Sequence, residues 1–366
     1  MNVLLLGGTG TLSSSVLNKA LCDGWKVSIF NRGHNNRNIP SDVEIIQGDI
    51  KKTSDLEIFR HRVFDVVVDF LSRVPDDIER LYPIFKNNSS QYVFISSACV
   101  YRRGDGDFPI IESSPKPNKD WDYNIQKYEC EKELESLSKD ATSYYTIVRP
   151  YITYDEWRIP LGIAPAYKYH KTIIERIRSG KPMLVWDNGN AMTTVTHCED
   201  FAKGLVGLFL NEKAKNEAFH ITGDFKYTGK ELLLELYSAL GQTPNIISMP
   251  SDELCKAMPR YANMIKGDRA LNAIFDNSKI KDAVPNLKFN IDIKEGLKRI
   301  ISHYDSIDNP EYDYEFDAQM DRIATICGVK TKYICYSGLR KSQFWKYFLF
   351  KNLPYKLANK AGRLLK

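Results

Sequence analysis

"VLLLGGTGTLSSSVLNKAL", residues 3–21, runs from an apolar stretch through a glycine-rich turn into a helical pattern. Val3–Leu6 shows no polar alternation, as expected of a strand covered on both faces. Gly7 and Gly10 stand where backbone must pass close to a bulky anion. The helix opening at Thr11, Leu12 and Ser13 presents free N–H groups to that anion. Ser13 holds the third position of a G-x-x-G-x-x-G pattern, where a small side chain lets helix and strand pack closely. A tight turn alone would account for the glycines. A strand before them and a helix after them favour the pyrophosphate of a dinucleotide.

The chain up to residue 150 repeats this alternation. Expected strands are Val3–Leu6, Lys26–Phe30, Val43–Gln47, Val66–Phe70, Tyr92–Ser96 and Tyr144–Val148, with helical patterns between them. The order predicts an α/β fold, a doubly wound parallel Rossmann sheet over residues 1–150. A smaller mixed α/β substrate region, partly interleaved with that sheet, is expected over 151–308. Its helices fall near Ile163–Ile177, Asp200–Leu210 and Gly229–Leu240. Residues 309–366 read as a basic, aromatic C-terminal extension. The second strand ends in Asn31 and Arg32, where an acid would bind ribose hydroxyls. An arginine there suits a 2′-phosphate or stacks on adenine, so this position leans to NADP over NAD; a solvated loop charge is the alternative. Asp49, after the third strand, reads either as an adenine contact or as a cap for a helix starting near Thr53 or Ser54.

Composition narrows the class. Of 366 residues 43% are hydrophobic, and there is no run of about 18 apolar residues, so no membrane-spanning helix is expected. Met1 leads straight into a strand, without the basic start or cleavage site of a secretion signal. The seven cysteines are odd in number and form no C-x-x-C pair, which suits free thiols in a reducing cytoplasm. The six histidines lack metal-ligand spacing, and no metal is expected. The net charge of +5 is unevenly spread. No acid follows Asp321, while eleven Lys or Arg do, which leaves −6 on the residues before them.

"DYNIQKYECEKEL", residues 122–134, carries a tyrosine four before a lysine in two overlapping registers, Tyr123/Lys127 and Tyr128/Lys132. At about 100° per residue, Tyr123 and Lys127 share a helix stripe with Cys130 and Leu134. Tyr128 and Lys132 lie on the charged side with Glu135 and Lys139. The first pair therefore points inward. A buried lysine needs a reason, and proton transfer supplies one; a structural tyrosine beside a snorkelling lysine is the alternative.

Seven segments now stand in order: "GGTGTLS" (7–13), Gly48–Asp49, "YVFISSACVY" (92–101), Tyr123-x-x-x-Lys127-x-x-x-Glu131, "VRPYITY" (148–154), "THCEDFAKGL" (196–205) and "FDNSK" (275–279). Together they resemble an extended short-chain dehydrogenase/reductase of the NAD-dependent nucleotide-sugar epimerase/dehydratase family. The resemblance implies a nucleotide-diphosphate sugar as substrate and NAD or NADP as cofactor. It implies Ser97 as the hydroxyl that binds the reacting oxygen and Tyr123 as general base or acid. Lys127 would lower the tyrosine pKa and hold the nicotinamide ribose. It also implies Pro150 and Ile152 beside the nicotinamide, with Ile50 and Phe70 completing the cofactor contacts.

Ser97 is followed by Ala98 and Cys99, where the family's 4,6-dehydratases carry two acids and its decarboxylases one. The Ser-Ala pattern is similar to hexose 4-epimerases, which implies transient oxidation at C4 and a place in cell-surface polysaccharide biosynthesis. Cys99 also matches 3,5-epimerases and keto-sugar reductases that use this thiol, with Lys168 or His170 as the second acid/base; a small buried packing residue is the bland reading. "DNGNAMTTVTH" lacks the arginine the family often places there, and Arg269 or Lys266 is the substitute candidate for diphosphate charge. His197 reads as structural and Asp200 as a helix cap. In the tail, Phe344, Tyr347 and Phe348 are expected on one helix side, ended by Pro354. An interfacial anchor on anionic lipid, packing on the body or on a second subunit of a homodimer, and RNA binding are the three readings, with nucleic acid disfavoured by the intact Ser97–Tyr123–Lys127 set.

Overall fold

The structure is a computed structural model that describes residues 1–34, 39–103, 108–336 and 341–362, with the backbone alone at Lys341. Arg340, Arg363 and Lys366 of the basic tail lie outside the described residues. Seven strands form the main sheet: β1 (Asn2–Leu6), β2 (Lys26–Asn31), β3 (Glu44–Gln47), β4 (Phe64–Asp69), β5 (Ser89–Ile95), β6 (Tyr144–Pro150) and β7 (Glu217–Ile221). Their order is β3-β2-β1-β4-β5-β6-β7, and every pairing is parallel. Six of these strands match the sequence expectation to within three residues at each end. β7 is additional to that expectation, because "EAFHI" is short and polar at its start.

The sheet is covered on both faces, and alternation along each strand decides which residue serves which face. Val3 and Leu5 enter one core, with Val16, Leu17 and Ala20 of α1 (Thr11–Cys22). Leu4 and Leu6 enter the other, with Ile78, Leu81, Tyr82 and Phe85 of α2 (Pro75–Phe85) and with Cys130 and Leu134 of α3 (Asp122–Leu137). All four strand residues are fully buried. This arrangement is the physical reason the strands read as continuous apolar runs.

Two compact units divide the chain. The first comprises 1–153, 194–225 and 274–290; the second comprises 154–193, 226–273 and 291–366. The 151–308 segment is shared, because the chain returns to the sheet for β7, and 309–366 belong with the second unit. That unit holds a parallel pair, Met183–Trp186 with Ile246–Met249, among helices. These include α4 (Lys171–Arg178), Gly229–Ala239 and Ile293–Ser306. The helix expected from Ile163 begins only at Lys171, because Pro165 forces the residue before it out of helical geometry. Back in the first unit, α5 (Cys198–Gly207) is capped by His197, whose Nδ1 accepts from Glu199 N at 3.3 Å. Asp200, expected as the cap, sits inside the first turn and pairs with Lys203 at 2.7 Å.

The tail is helical: α6 (Tyr314–Ile326), α7 (Lys341–Asn352) and α8 (Tyr355–Gly362), broken at Pro354 as expected. It packs within the second unit, with Tyr347, Phe350 and Ala358 closing on Tyr314 and Ala318. Tyr347 therefore faces inward, while Phe344 and Phe348, its neighbours on the helix, stay 37% and 47% exposed. The phenol is drawn in by a polar partner, donating to Asp321 Oδ2 at 2.5 Å.

At the glycine turn, Gly7 and Gly8 take φ of +120° and +107°, which L side chains rarely adopt. A Cβ on Gly8 would stand 2.7 Å from Ile29 Cγ2, a fully buried side chain. Gly8→Ala is expected to destabilise the protein by about 2–5 kcal/mol, combining backbone strain with overpacking. A lowered urea midpoint at unchanged slope checks it, and an unchanged midpoint refutes the reading.

Candidate active site

β1 and β4 are neighbours although α1, β2 and β3 intervene in sequence, so the strand order reverses between them. Ligands of such sheets sit at this switch point, beyond the carboxyl ends of the strands. A cavity of about 750 Å³ lies there, lined by Gly7, Gly10, Asn31, Arg32, Asp49, Ile50 and Phe70 of the expected set. Thr11 and Leu12 are the first residues of α1. Lys127, Pro150 and Ile152 are not among the described residues lining this cavity. Sequence reasoning passes over Lys51, Arg73, Leu71 and Val74, which also line it. Arg73 lies three residues beyond the expected strand Val66–Phe70, and a cation at that distance from a switch-point strand is the available signal.

The cradle suits a pyrophosphate. A Cβ on Gly7 would press within 3.3 Å of Phe70 Cβ, so only a bare backbone passes here. Gly10 N donates to Ser13 Oγ at 2.9 Å, which explains serine in the third pattern position: its hydroxyl ties down the turn. A second hollow of about 310 Å³ is lined by Arg32, His34, Gln47, Asp49, Lys52 and Asp55. Asn31 Oδ1 accepts from Gly33 N at 2.6 Å, and Asp49 Oδ1 accepts from Lys51 N at 3.0 Å. Asp49 does not cap the helix Thr53–Leu56, which has no side-chain cap.

The lysines of the two tyrosine–lysine registers differ in burial. Lys127 is 5% exposed, whereas Lys132 is on the solvent side. Tyr123 and Tyr128 are both half-buried, and Tyr123 lies against Trp121 with ring centroids 4.9 Å apart. Lys127 Nζ donates to the carbonyls of Ser72 at 2.7 Å and Ile95 at 2.9 Å, and sits 4.8 Å from the Phe94 ring centroid. Burial pushes its pKa down, and the Asp69 carboxylate opposes that shift. Asp69, fully buried, shapes the Ser72 turn: Oδ1 accepts from Leu71 N and Ser72 N at 2.8 and 3.0 Å, and Oδ2 from Tyr92 Oη at 2.9 Å and from the Ser72 hydroxyl. Ser97 Oγ accepts from Cys99 N at 3.2 Å, which leaves its hydroxyl hydrogen to be donated outward.

A buried network joins the three segments that carry these residues. Glu131, one turn beyond Lys127, accepts from Ser96 Oγ at 2.5 Å and from Arg149 at 2.9 and 2.7 Å. Arg149 reaches Tyr101 Oη at 2.9 Å, and Tyr101 meets His220 Nδ1 at 3.2 Å. Burial alone would lower the Arg149 pKa; the Glu131 carboxylate overrides it and holds the guanidinium charged. The segment after Arg149 is strained: Ile152 has φ +33°, in a region a β-branched residue avoids.

Cys99 is buried, 6% exposed. Lys168 pairs with Glu311 at 2.8 Å. His170 is buried and accepts from Ile159 N at 2.9 Å; burial, helped by Arg158, pushes its pKa down to about 3, so it is neutral near pH 7. Arg269 stands 2.7 Å from buried Asp268, and Lys266 stands 3.1 Å from Asp252. Among the described residues there is no cluster of His, Cys, Asp or Glu fit to hold a metal.

A parallel sheet wound on both faces, a glycine cradle at its switch point and a buried lysine four residues after a tyrosine define an extended short-chain dehydrogenase/reductase. The model of the NAD dependent epimerase/dehydratase family matches residues 3–222, and the chain belongs to that family. Among curated proteins, it is 26% identical over 262 residues to the chloroplast stem-loop binding protein of 41 kDa b from Arabidopsis thaliana. That match covers 66% of this chain and 64% of the plant protein, a little under two thirds of its length. It is 20% identical over 255 residues to the 2′-dehydrokanamycin reductase of Streptomyces kanamyceticus, covering 69% of this chain and 70% of the reductase. Among solved structures, the UDP-glucose 4-epimerase of Thermus thermophilus with NAD superposes with a TM-score of 0.65 at 15% identity, covering 84% of this chain and all of that one. The UDP-glucuronic acid 4-epimerase of Bacillus cereus, with UDP-glucuronic acid and NAD, gives 0.66 at 16% identity, covering 83% and 100%. These two likenesses show the fold.

Proposed function

We propose that the protein is an NAD(P)-dependent nucleotide-sugar epimerase working at C4 of the sugar. The observation that carries this reading is Lys127, buried one turn from Tyr123 and held by two backbone carbonyls. A bound nicotinamide would supply reversible hydride exchange with the sugar carbon. The chain supplies the rest. Gly7 and Gly10 admit the pyrophosphate, and Arg73 and Lys51 offer it positive charge. Ser97 donates its hydroxyl hydrogen to the reacting sugar oxygen. Tyr123 takes the proton from that oxygen and gives it back, and the Lys127 ammonium favours the phenolate. Ala98 and Cys99 bring no second carboxylic acid to the reacting carbon, which disfavours elimination of water and decarboxylation. The product is a sugar donor of the kind used in cell-surface polysaccharide assembly.

A second reading, a keto-sugar reductase, is favoured by Arg32 at the end of β2 and by the 2′-dehydrokanamycin reductase among the relatives. The 3,5-epimerase reading needs a second acid/base, and of its candidates Lys168 is paired with Glu311 while His170 is buried and accepts from Ile159 N. The plant relative's name points to stem-loop binding, but RNA binding gives no reason to bury Lys127.

Heat release of the cofactor and its mass identification come first, then incubation of UDP-, GDP-, CDP- and dTDP-sugars in D2O followed by NMR. Inversion at C4 with no deuterium at carbon and no net cofactor consumption is expected. Deuterium at C3 or C5 would establish the 3,5-epimerase instead, and stoichiometric oxidation of the reduced cofactor the reductase. Arg32→Ala is expected to weaken NADP(H) binding by about 1.5–3 kcal/mol and to leave NAD(H) within about two-fold. Equal effects on both cofactors, read by titration calorimetry, would remove Arg32 from 2′-phosphate recognition.

A further inference from the structure

We propose that the outer face of α7, continued by the start of α8, docks on an anionic lipid bilayer surface. α7 is two-sided. Tyr347 and Phe350 are each 3% exposed and point into the second unit, whereas Phe344, Trp345 and Phe348 are 37%, 51% and 47% exposed. Leu357 on α8 is 57% exposed. The three rings form one contiguous patch, with centroids 5.9 Å apart for Phe344–Trp345 and 6.0 Å for Trp345–Phe348. Aromatics left in water side by side on one face mark an interaction surface, and Trp and Phe suit the boundary between headgroup and acyl chain.

Charge selects the partner. α7 and α8 contain no acidic residue. Lys346, Lys356 and Lys360 are exposed on them, and Lys330 and Lys332 are exposed on the segment before. Lys346, its side chain 51% exposed, lies 3.7 Å from Glu315 of α6, a long pair that leaves the ammonium open to solvent. Such a polybasic stretch is attracted to anionic headgroups. Single-stranded RNA also combines charge with aromatic stacking, but it needs ring faces open to successive bases. Here neighbouring rings meet at 70° and 84°, edge to face, and Leu357 offers no ring. A bilayer interface accepts edges, faces and aliphatic side chains alike.

The patch is also held in place. Tyr347 donates to Asp321, and Asp321 and Asp317 are fully buried between Arg176 and Lys181 at 2.6–2.8 Å. α7 therefore presents its aromatics without refolding. Among the described residues no helix is long and apolar enough to cross a membrane, so α7 lies on the surface. The inference stands apart from the sugar chemistry, since it uses none of the residues assigned to that reaction.

The test is co-sedimentation of the full chain with phosphatidylcholine vesicles, with and without about one third phosphatidylglycerol. The expected result is binding to the anionic vesicles only, weakened by salt. Replacing Phe344, Trp345 and Phe348 together by serine should lower partitioning about ten-fold or more, and Lys356→Glu with Lys360→Glu by a similar factor. The proposal is overturned if the anionic vesicles are not bound, or are bound equally well by the aromatic variant. It is also overturned if, without vesicle binding, the same variant loses affinity for labelled single-stranded RNA, or loses a concentration-dependent dimer in sedimentation.

Discussion

Tyr123→Phe is expected to lower kcat by about 100- to 10,000-fold, the usual range for losing a positioned general acid or base. Phenylalanine keeps the ring against Trp121 and removes only the oxygen that would carry the proton. KM for the nucleotide sugar and the unfolding midpoint should change little, because the residue is half-buried and its ring survives. Tyr128→Phe is the matched control. Its lysine partner in the second register, Lys132, is solvent-exposed, so turnover should stay within about two-fold. Steady-state kinetics on an identified sugar nucleotide decides between them. Full activity in Tyr123→Phe, or collapse in Tyr128→Phe, would reverse the assignment of the registers.

The second large effect concerns stability. Arg176→Met removes a fully buried cation from a cluster of two fully buried carboxylates. Burial alone would raise the Asp321 pKa; Arg176 and Lys181 override it and hold the carboxylate ionised. With Lys181 left alone against both acids, the loss should be about 3–5 kcal/mol, the cost of stranding a buried charge. A lower urea midpoint and faster proteolysis within α7, which Asp321 holds through Tyr347, are the expected signs. Arg176→Met combined with Asp317→Leu should recover part of the loss, since a buried pair removed together costs less than one partner removed. If the double variant is no more stable than the single one, the cluster is not acting as paired charges.

Acid acts through a neighbouring site of the same unit. Folded, His170 binds a proton only near pH 3; unfolded, it does so at its ordinary 6.5. Between those values the unfolded chain binds more protons, so this contribution is complete above 6.5 and is lost as the pH falls toward 3. A urea midpoint that drops between about pH 7 and about pH 5, with a shallower drop in His170→Gln, is the expected outcome.

How much of this is legible in the residues depends on whether one local pattern carries the information. The strands are, because burial on both faces writes itself as unbroken Val, Leu and Ile. The burial of Lys127 against the exposure of Lys132 is, because helical phase is fixed by spacing alone. Asp69 is not: it ends a strand like any other polar residue, and only the turn it folds brings the Ser72 carbonyl to Lys127. The strand by which the later chain rejoins the sheet is hidden for a similar reason. β7 pairs with β6 across about seventy residues of sequence, and nothing in "EAFHI" names its neighbour. Spacing sets Tyr347 beside Phe344 and Phe348 but does not show that it is buried, because its partner, Asp321, belongs to another helix.

The winding of the first unit has a consequence for how the chain is made. β7 completes a sheet whose other strands end by residue 150, and residues 274–290 belong to the same unit. During synthesis from the amino terminus, that sheet must wait on the ribosome with an unpaired β6 margin until a much later stretch emerges. Chaperone dependence and aggregation of nascent chains should therefore concentrate in that interval, and chains stopped before residue 217 should be recovered as insoluble material.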